Sequence, residues 1–134
     1  MTLTIVEALP IRVLLVEDEC LVSEMVAESL ARQGFCVHTA TSGTEALQHL
    51  ASAPVDVLFT DIALDGGMDG TALAQRARSL LPDLPVVYAS GGMQMFDVAA
   101  RVPHSIFVAK PYDPDVVGRV LRRAIGTGAA RLPA

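Results

Sequence analysis

Residues 55–61 read VDVLFTD, a short apolar run that ends on Asp61. The run has the length and composition of a strand covered on both faces. Upstream, Ser42 is a helix N-cap with Glu45 three residues later, a capping box. The helix it opens runs through Ala46, Leu47 and Leu50 to a stop near Pro54. Residues 35–40 predict a second strand. Leu21, Val22, Met25, Val26 and Leu30 fall at helical spacing, and Gly34 ends that helix. Residues 11–16 (IRVLLV) form the first strand, which leads into Glu17, Asp18 and Glu19.

Downstream of Asp61 comes IALDGGMDG, a loop rich in glycine and acid. A helix follows from Thr71 and closes at Pro82. Residues 84–89 predict a fourth strand ending at Ser90, Gly91 and Gly92, and residues 93–101 a less regular helix. Residues 105–109 predict a fifth strand ending at Lys110-Pro111, and residues 114–125 a last amphipathic helix. Five strands alternating with five helices predict an α/β doubly wound domain on a parallel sheet with right-handed crossovers. In such folds the functional crevice lies outside the carboxyl ends of the strands.

Composition narrows the classes of function. The chain has 134 residues, 51% of them hydrophobic, enough for one domain with its own core. Fifteen acidic against ten basic residues give a formal charge of -5, which argues against a nucleic-acid surface. No apolar run approaches a bilayer span, and residues 1–12 lack the pattern of a signal peptide, so the expected location is the cytoplasm. Cys20 and Cys36 show no metal-type spacing and read as reduced, interior thiols. His38, His49 and His104 read as surface or strand-end residues.

The strand ends carry the chemistry. Glu17 and Asp18 follow strand one, Asp61 strand three, Ser90 strand four and Lys110 strand five. A parallel sheet gathers all five on one edge. Close carboxylates repel and call for a counter-charge. A hard divalent cation, Mg²⁺ or Mn²⁺, suits Asp18 and Asp61 as direct ligands, with Glu17 acting through water. A carboxylate is a nucleophile toward phosphorus. Lys110 then pairs with one phosphoryl oxygen, and the Ser90 hydroxyl donates to another.

In this order and at these intervals the chain resembles the receiver domain of bacterial two-component response regulators, a stand-alone one similar to chemotaxis regulators. The resemblance covers about residues 10 to 126. It rests on VLLVEDE (Glu17, Asp18), LFTD (Asp61), MDG (Met68, Asp69, Gly70), YASG (Ser90) and KPY (Lys110, Pro111). It implies a flavodoxin-like (βα)5 fold with strand order 2-1-3-4-5. It also implies an N-terminal extension over 1–9, a receiver over 10–126 and a flexible tail over 127–134. Asp61 is then the phosphoacceptor, fed by a histidine kinase or a histidine phosphotransfer protein. The backbone carbonyl of Ala63 joins the metal ligands. Ser90 and Phe107 are implied as the switch pair, which repacks a surface for an unidentified downstream protein. The domain is not an enzyme in the ordinary sense: it catalyses only its own phosphotransfer and dephosphorylation.

Departures from the family pattern bear on detail. Ala63 and Gly92 bring no side chains to positions beside the phosphoryl group, so its lifetime is left open. The loop after Asp61 lacks the common proline and is one residue longer than the commonest form. Asp65 within it reads as a solvated turn residue. Met93, Met95 and Phe96, with Tyr112, form a candidate partner surface; the first three fit plain core equally well. Met1 and the tail favour a full-length stand-alone protein, with a receiver cut from a hybrid kinase as the alternative, and a monomer or weak dimer is expected. A haloacid-dehalogenase-type phosphatase is disfavoured, because Ala63 stands where that family has an acid. A Rossmann nucleotide binder is disfavoured, because VEDECL follows strand one instead of a glycine fingerprint. No helix-turn-helix segment suggests DNA binding, and no partner membrane is expected.

Overall fold

A computed structural model describes residues 9–91 and 100–126. The elements run β1 (Arg12–Val16), α1 (Cys20–Arg32), β2 (Cys36–Ala40), α2 (Gly43–Ser52), β3 (Val57–Asp61), α3 (Gly70–Leu80), β4 (Val86–Ser90), β5 (Ile106–Ala109) and α4 (Pro114–Gly126). The five strands form one parallel sheet in the order β2-β1-β3-β4-β5, as the resemblance implied. The expected helix over 93–101 lies almost wholly outside the described residues, as do Gly92, Met93, Met95 and Phe96 and the segments 1–8 and 127–134.

Alternation along the strands splits the core in two. Val13, Leu15, Val57, Phe59, Val87 and Ala89 face α1 and α4, where they meet Val26, Leu30, Val117 and Leu121. Leu14, Val16, Leu58, Val86 and Tyr88 face α2 and α3, against Ala46, Leu50, Leu73 and Ala77. Each fully buried aliphatic side chain contributes about 1.5–3 kcal/mol, so the three central strands carry most of the fold. β1, β3 and β4 are buried on both faces, as their apolar runs predict. β2 is not: as an edge strand it leaves Cys36, His38 and Thr39 exposed.

Four local expectations need correction. Cys20 and Cys36 are both exposed, not interior, because Cys20 opens α1 and Cys36 sits on the edge strand. On α1 the buried positions are Ser23, Val26 and Leu30, while Leu21 and Met25 are 82% and 62% exposed. Ser42 caps α2 by accepting the Glu45 N–H at 3.1 Å, but Glu45 reaches one residue further back than a capping box requires. Its Oε1 accepts the Thr41 N–H at 2.6 Å. Finally, α3 begins at Gly70 and is capped by Asp69, whose Oδ1 accepts the Ala72 N–H at 2.8 Å and the Thr71 hydroxyl at 2.7 Å. His38 and His49, the one exposed and the other half-buried, stack their rings at 3.7 Å.

Gly70 marks where α3 closes on β3. Its N–H donates to the Ile62 carbonyl at 2.7 Å, and a Cβ at this position would run into the carbonyl oxygen of Asp61. Backbone cannot yield as a flexible side chain can. Gly70→Ala is therefore expected to lower stability by about 1–3 kcal/mol in urea denaturation. Gly126→Ala, where a Cβ meets nothing within 4 Å, is expected to stay within about 0.5 kcal/mol.

Candidate functional site

The register of the sheet builds the site. Val16 pairs with Thr60, Asp61 with Ala89, and Ser90 with Ala109. Glu17, Asp61, Ser90 and Lys110 therefore emerge side by side at the carboxyl edge, as expected for an open parallel sheet. Asp61, Ser90 and Lys110 border a cleft of ≈ 600 Å³ that also takes in Asp18, Ala63 and Asp65.

Asp61 is 7% exposed and Glu17 only 3%. One carboxylate oxygen from each of Glu17, Asp18 and Asp61 lies within 4.8 Å of the others. Lys110 answers them. Its Nζ is 2.7 Å from Asp61 Oδ1, 2.8 Å from Oδ2 and 3.3 Å from Glu17 Oε1. One ammonium against three carboxylates leaves the cluster short of positive charge. Burial pushes the Asp61 carboxyl up to about 6; the Lys110 hydrogen bond opposes this and the Glu17 charge adds to it. Burial works against the Lys110 ammonium, yet the Asp61 and Glu17 contacts hold it above its ordinary value.

The main chain around Asp61 is fixed from several sides. The Thr60 hydroxyl donates to the Asp61 carbonyl at 2.8 Å, and the Ile62 N–H to Ala89 at 2.9 Å. The Lys110 N–H donates to the Ser90 carbonyl at 2.8 Å, and the Lys110-Pro111 peptide is cis. Asp65 reaches the cluster through its N–H, which donates to Asp18 Oδ2 at 3.1 Å. The turn that carries it uses Gly66 and Gly67 at φ 95° and 90°, a region that favours glycine.

The five strand-end residues thus come together as the sequence suggests. Ala63 lines the cleft. Phe107, 40% exposed, lies on the sheet face opposite to Val108 and therefore on the face shared by Tyr88 and Ser90. Tyr112 packs its ring against Phe59 at 5.7 Å, and burial pushes its phenol up to about 12; only part of it is left for a partner. Roles for Thr60, Gly70 and the Asp65 N–H escaped the sequence reading. The MDG signal marked Gly70 without revealing its closeness to Asp61.

All-oxygen donors at this spacing, with one cation too few, match what a hard divalent ion requires. Among the described residues no helix is long and apolar enough to cross a membrane.

The family of response regulator receiver domains matches residues 13–122. The C4-dicarboxylate transport transcriptional regulatory protein DctD of Rhizobium meliloti is 32% identical over 114 residues, 84% of this chain and 25% of that protein. The chain spans about a quarter of the length of most of the curated relatives it matches. The crystal structure of the receiver domain of NtrX from Brucella abortus is 33% identical, covers 86% of this chain and 98% of that one, and superposes with a TM-score of 0.78. A response regulator receiver protein from Sinorhizobium medicae, 28% identical, reaches 0.83 over 89% and 97%. By sequence, strand order and the place of its acidic cleft, this chain belongs to the response regulator receiver domain family of two-component signal transduction.

Proposed function

We propose that Asp61 accepts a phosphoryl group from a phosphohistidine on a histidine kinase or phosphotransfer protein, and that the acyl phosphate switches a protein-binding surface. The observation that carries this reading is the buried Asp61 carboxylate held between Glu17 and Lys110 at the mouth of an open cleft. An Asp61 oxygen attacks phosphorus, the P–N bond breaks, and its electron pair leaves on the imidazole. Lys110 exchanges its contact with Asp61 for one with a phosphoryl oxygen. Ser90, at the neighbouring strand end, donates its hydroxyl to another, with Phe107 turning inward behind it.

Asp18 and Asp61 would hold Mg²⁺ or Mn²⁺, with the Ala63 carbonyl as a further ligand and Glu17 through water. The ion supplies neutralisation of charge on the transferred group. Leu21 and Met25 stand exposed on α1. Met25 also lines a groove with Val22, Tyr112 and Pro114 that shares Glu19, Gly91 and Lys110 with the cleft's surroundings. These apolar side chains give the phosphohistidine partner a face to approach. The working unit is residues 10–126, acting in the cytoplasm, with 1–9 and 127–134 as flanking segments. Nothing in the fold favours a second reading.

Acetyl phosphate with Mg²⁺ is expected to add one phosphoryl group to the wild type, read by intact mass, and none to Asp61→Asn. A wild type that stays unlabelled at saturating Mg²⁺ would refute the assignment. Mg²⁺ alone at about a hundred times its dissociation constant is expected to stabilise the wild type by about 2.7 kcal/mol. Asp18→Asn should lose most of that gain in thermal melts. In chelator, the folded Asp61 carboxyl titrates at about 6 against an ordinary 3.8, so the folded state binds more protons than the unfolded one between these values. Metal-free stability should then fall as pH rises through that window and level off above it. Asp61→Asn should flatten this slope.

A further inference from the structure

Tyr88 is fully buried on β4. It precedes Ser90 by two residues and so shares its sheet face. In the register it stands opposite Phe107 on β5, on that same face. Its hydroxyl oxygen accepts the Val102 N–H at 3.1 Å, and Val102 is itself buried in the same core layer. The neighbouring main chain is held too. Gln75 Nε2 of α3 donates to the Ala100 carbonyl at 2.6 Å. Arg101 Nη2 donates to the Ser105 carbonyl at 2.8 Å, and the Ser105 hydroxyl to the Val102 carbonyl at 2.7 Å. Residues 100–105 are thereby tied to β4 and α3 just before they enter β5, the strand that ends at Lys110.

We propose that Tyr88 is a positioning residue for the phosphorylation switch: its hydrogen bond to Val102 latches the segment entering β5 in the resting arrangement, and activation loosens it. The proposal rests on Asp61 as phosphoacceptor and on Ser90 and Phe107 as the moving pair. Phe107 turning inward arrives on the face occupied by Tyr88 across the strand, with Val102 at the tip of the Tyr88 ring. Making room there displaces the segment at Val102 and turns its N–H away from the phenol. A bond made in one of two states biases the equilibrium by its own worth. For a neutral hydrogen bond that is about 2- to 10-fold. Burial holds the phenol above its ordinary titration range, so the latch stays neutral and formed at working pH.

Tyr88→Phe keeps the ring and removes its hydroxyl, and with it the acceptor for the Val102 N–H. Its test is the apparent affinity for beryllofluoride, a phosphoryl mimic, in Mg²⁺ by calorimetry on the full chain, with thermal melts alongside. The expected result is about 2- to 10-fold tighter binding than wild type, with a somewhat lower melting temperature. Unchanged or weaker binding with a lower melting temperature marks a purely structural role and overturns the latch. Should Tyr88→Phe fail to fold, Gln75→Ala loosens the same segment from α3 and is expected to tighten binding by a smaller factor; no tightening there overturns the proposal. A wild type that binds no beryllofluoride overturns the Asp61 reading and the latch with it, whereas normal wild-type binding with unaltered variants overturns the latch alone.

Discussion

The contact between the Lys110 ammonium and the Asp61 carboxylate is the constraint around which the carboxyl edge of the sheet is organised. Asp61 and Glu17 are both buried, and two carboxylates this close to a third are tolerated only because one ammonium spans them. The cluster remains short of positive charge, and burial raises the Asp61 carboxyl accordingly. That shortfall is a stability cost that a further positive charge at the site would relieve. Such imbalance at one edge is tolerable because the two apolar layers beneath it are closely packed.

Holding Asp61 in place falls to its main chain. Thr60 donates to its carbonyl, Ile62 binds across to β4, and Gly70 lets the start of α3 press on the same carbonyl. Asp69 caps α3 one residue earlier. The acidic, glycine-rich loop therefore divides its tasks: glycines for turning and close approach, Asp69 for the helix, and the Asp65 N–H for Asp18. Asp18 and Asp61 flank this loop in space, with one carboxylate oxygen of each close to one of Glu17.

In the proposed reading, a signal would leave the site through β4 and β5. The two strands lead to Ser90 and Lys110, and behind those ends Tyr88 of β4 holds Val102 in the segment that enters β5. A switch needs two packings of similar energy. A half-exposed Phe107 stands beside a fully buried Tyr88 on one face of the sheet, and this is the pair that the proposed switch would repack.

Periodicity and end groups made the order of the elements, the parallel α/β class and the five strand-end residues legible in the sequence. They are local properties: apolar runs of strand length, caps, and polar residues where each run stops. Boundaries shifted by a residue or two, as with Asp61 joining β3 and Gly70 opening α3. The sequence alone could not show that Cys36 lies on an exposed edge, that Leu21 and Met25 on a well-spaced helix face outward, or that Tyr88 grips Val102. Nor could it measure the distances among Glu17, Asp18, Asp61 and Lys110. Each of these depends on which strands are neighbours and in what register, and so on contacts between residues dozens of positions apart. Chain-local patterns determine what each segment becomes; only the packed sheet decides which segments meet, and with them the charge balance at Asp61.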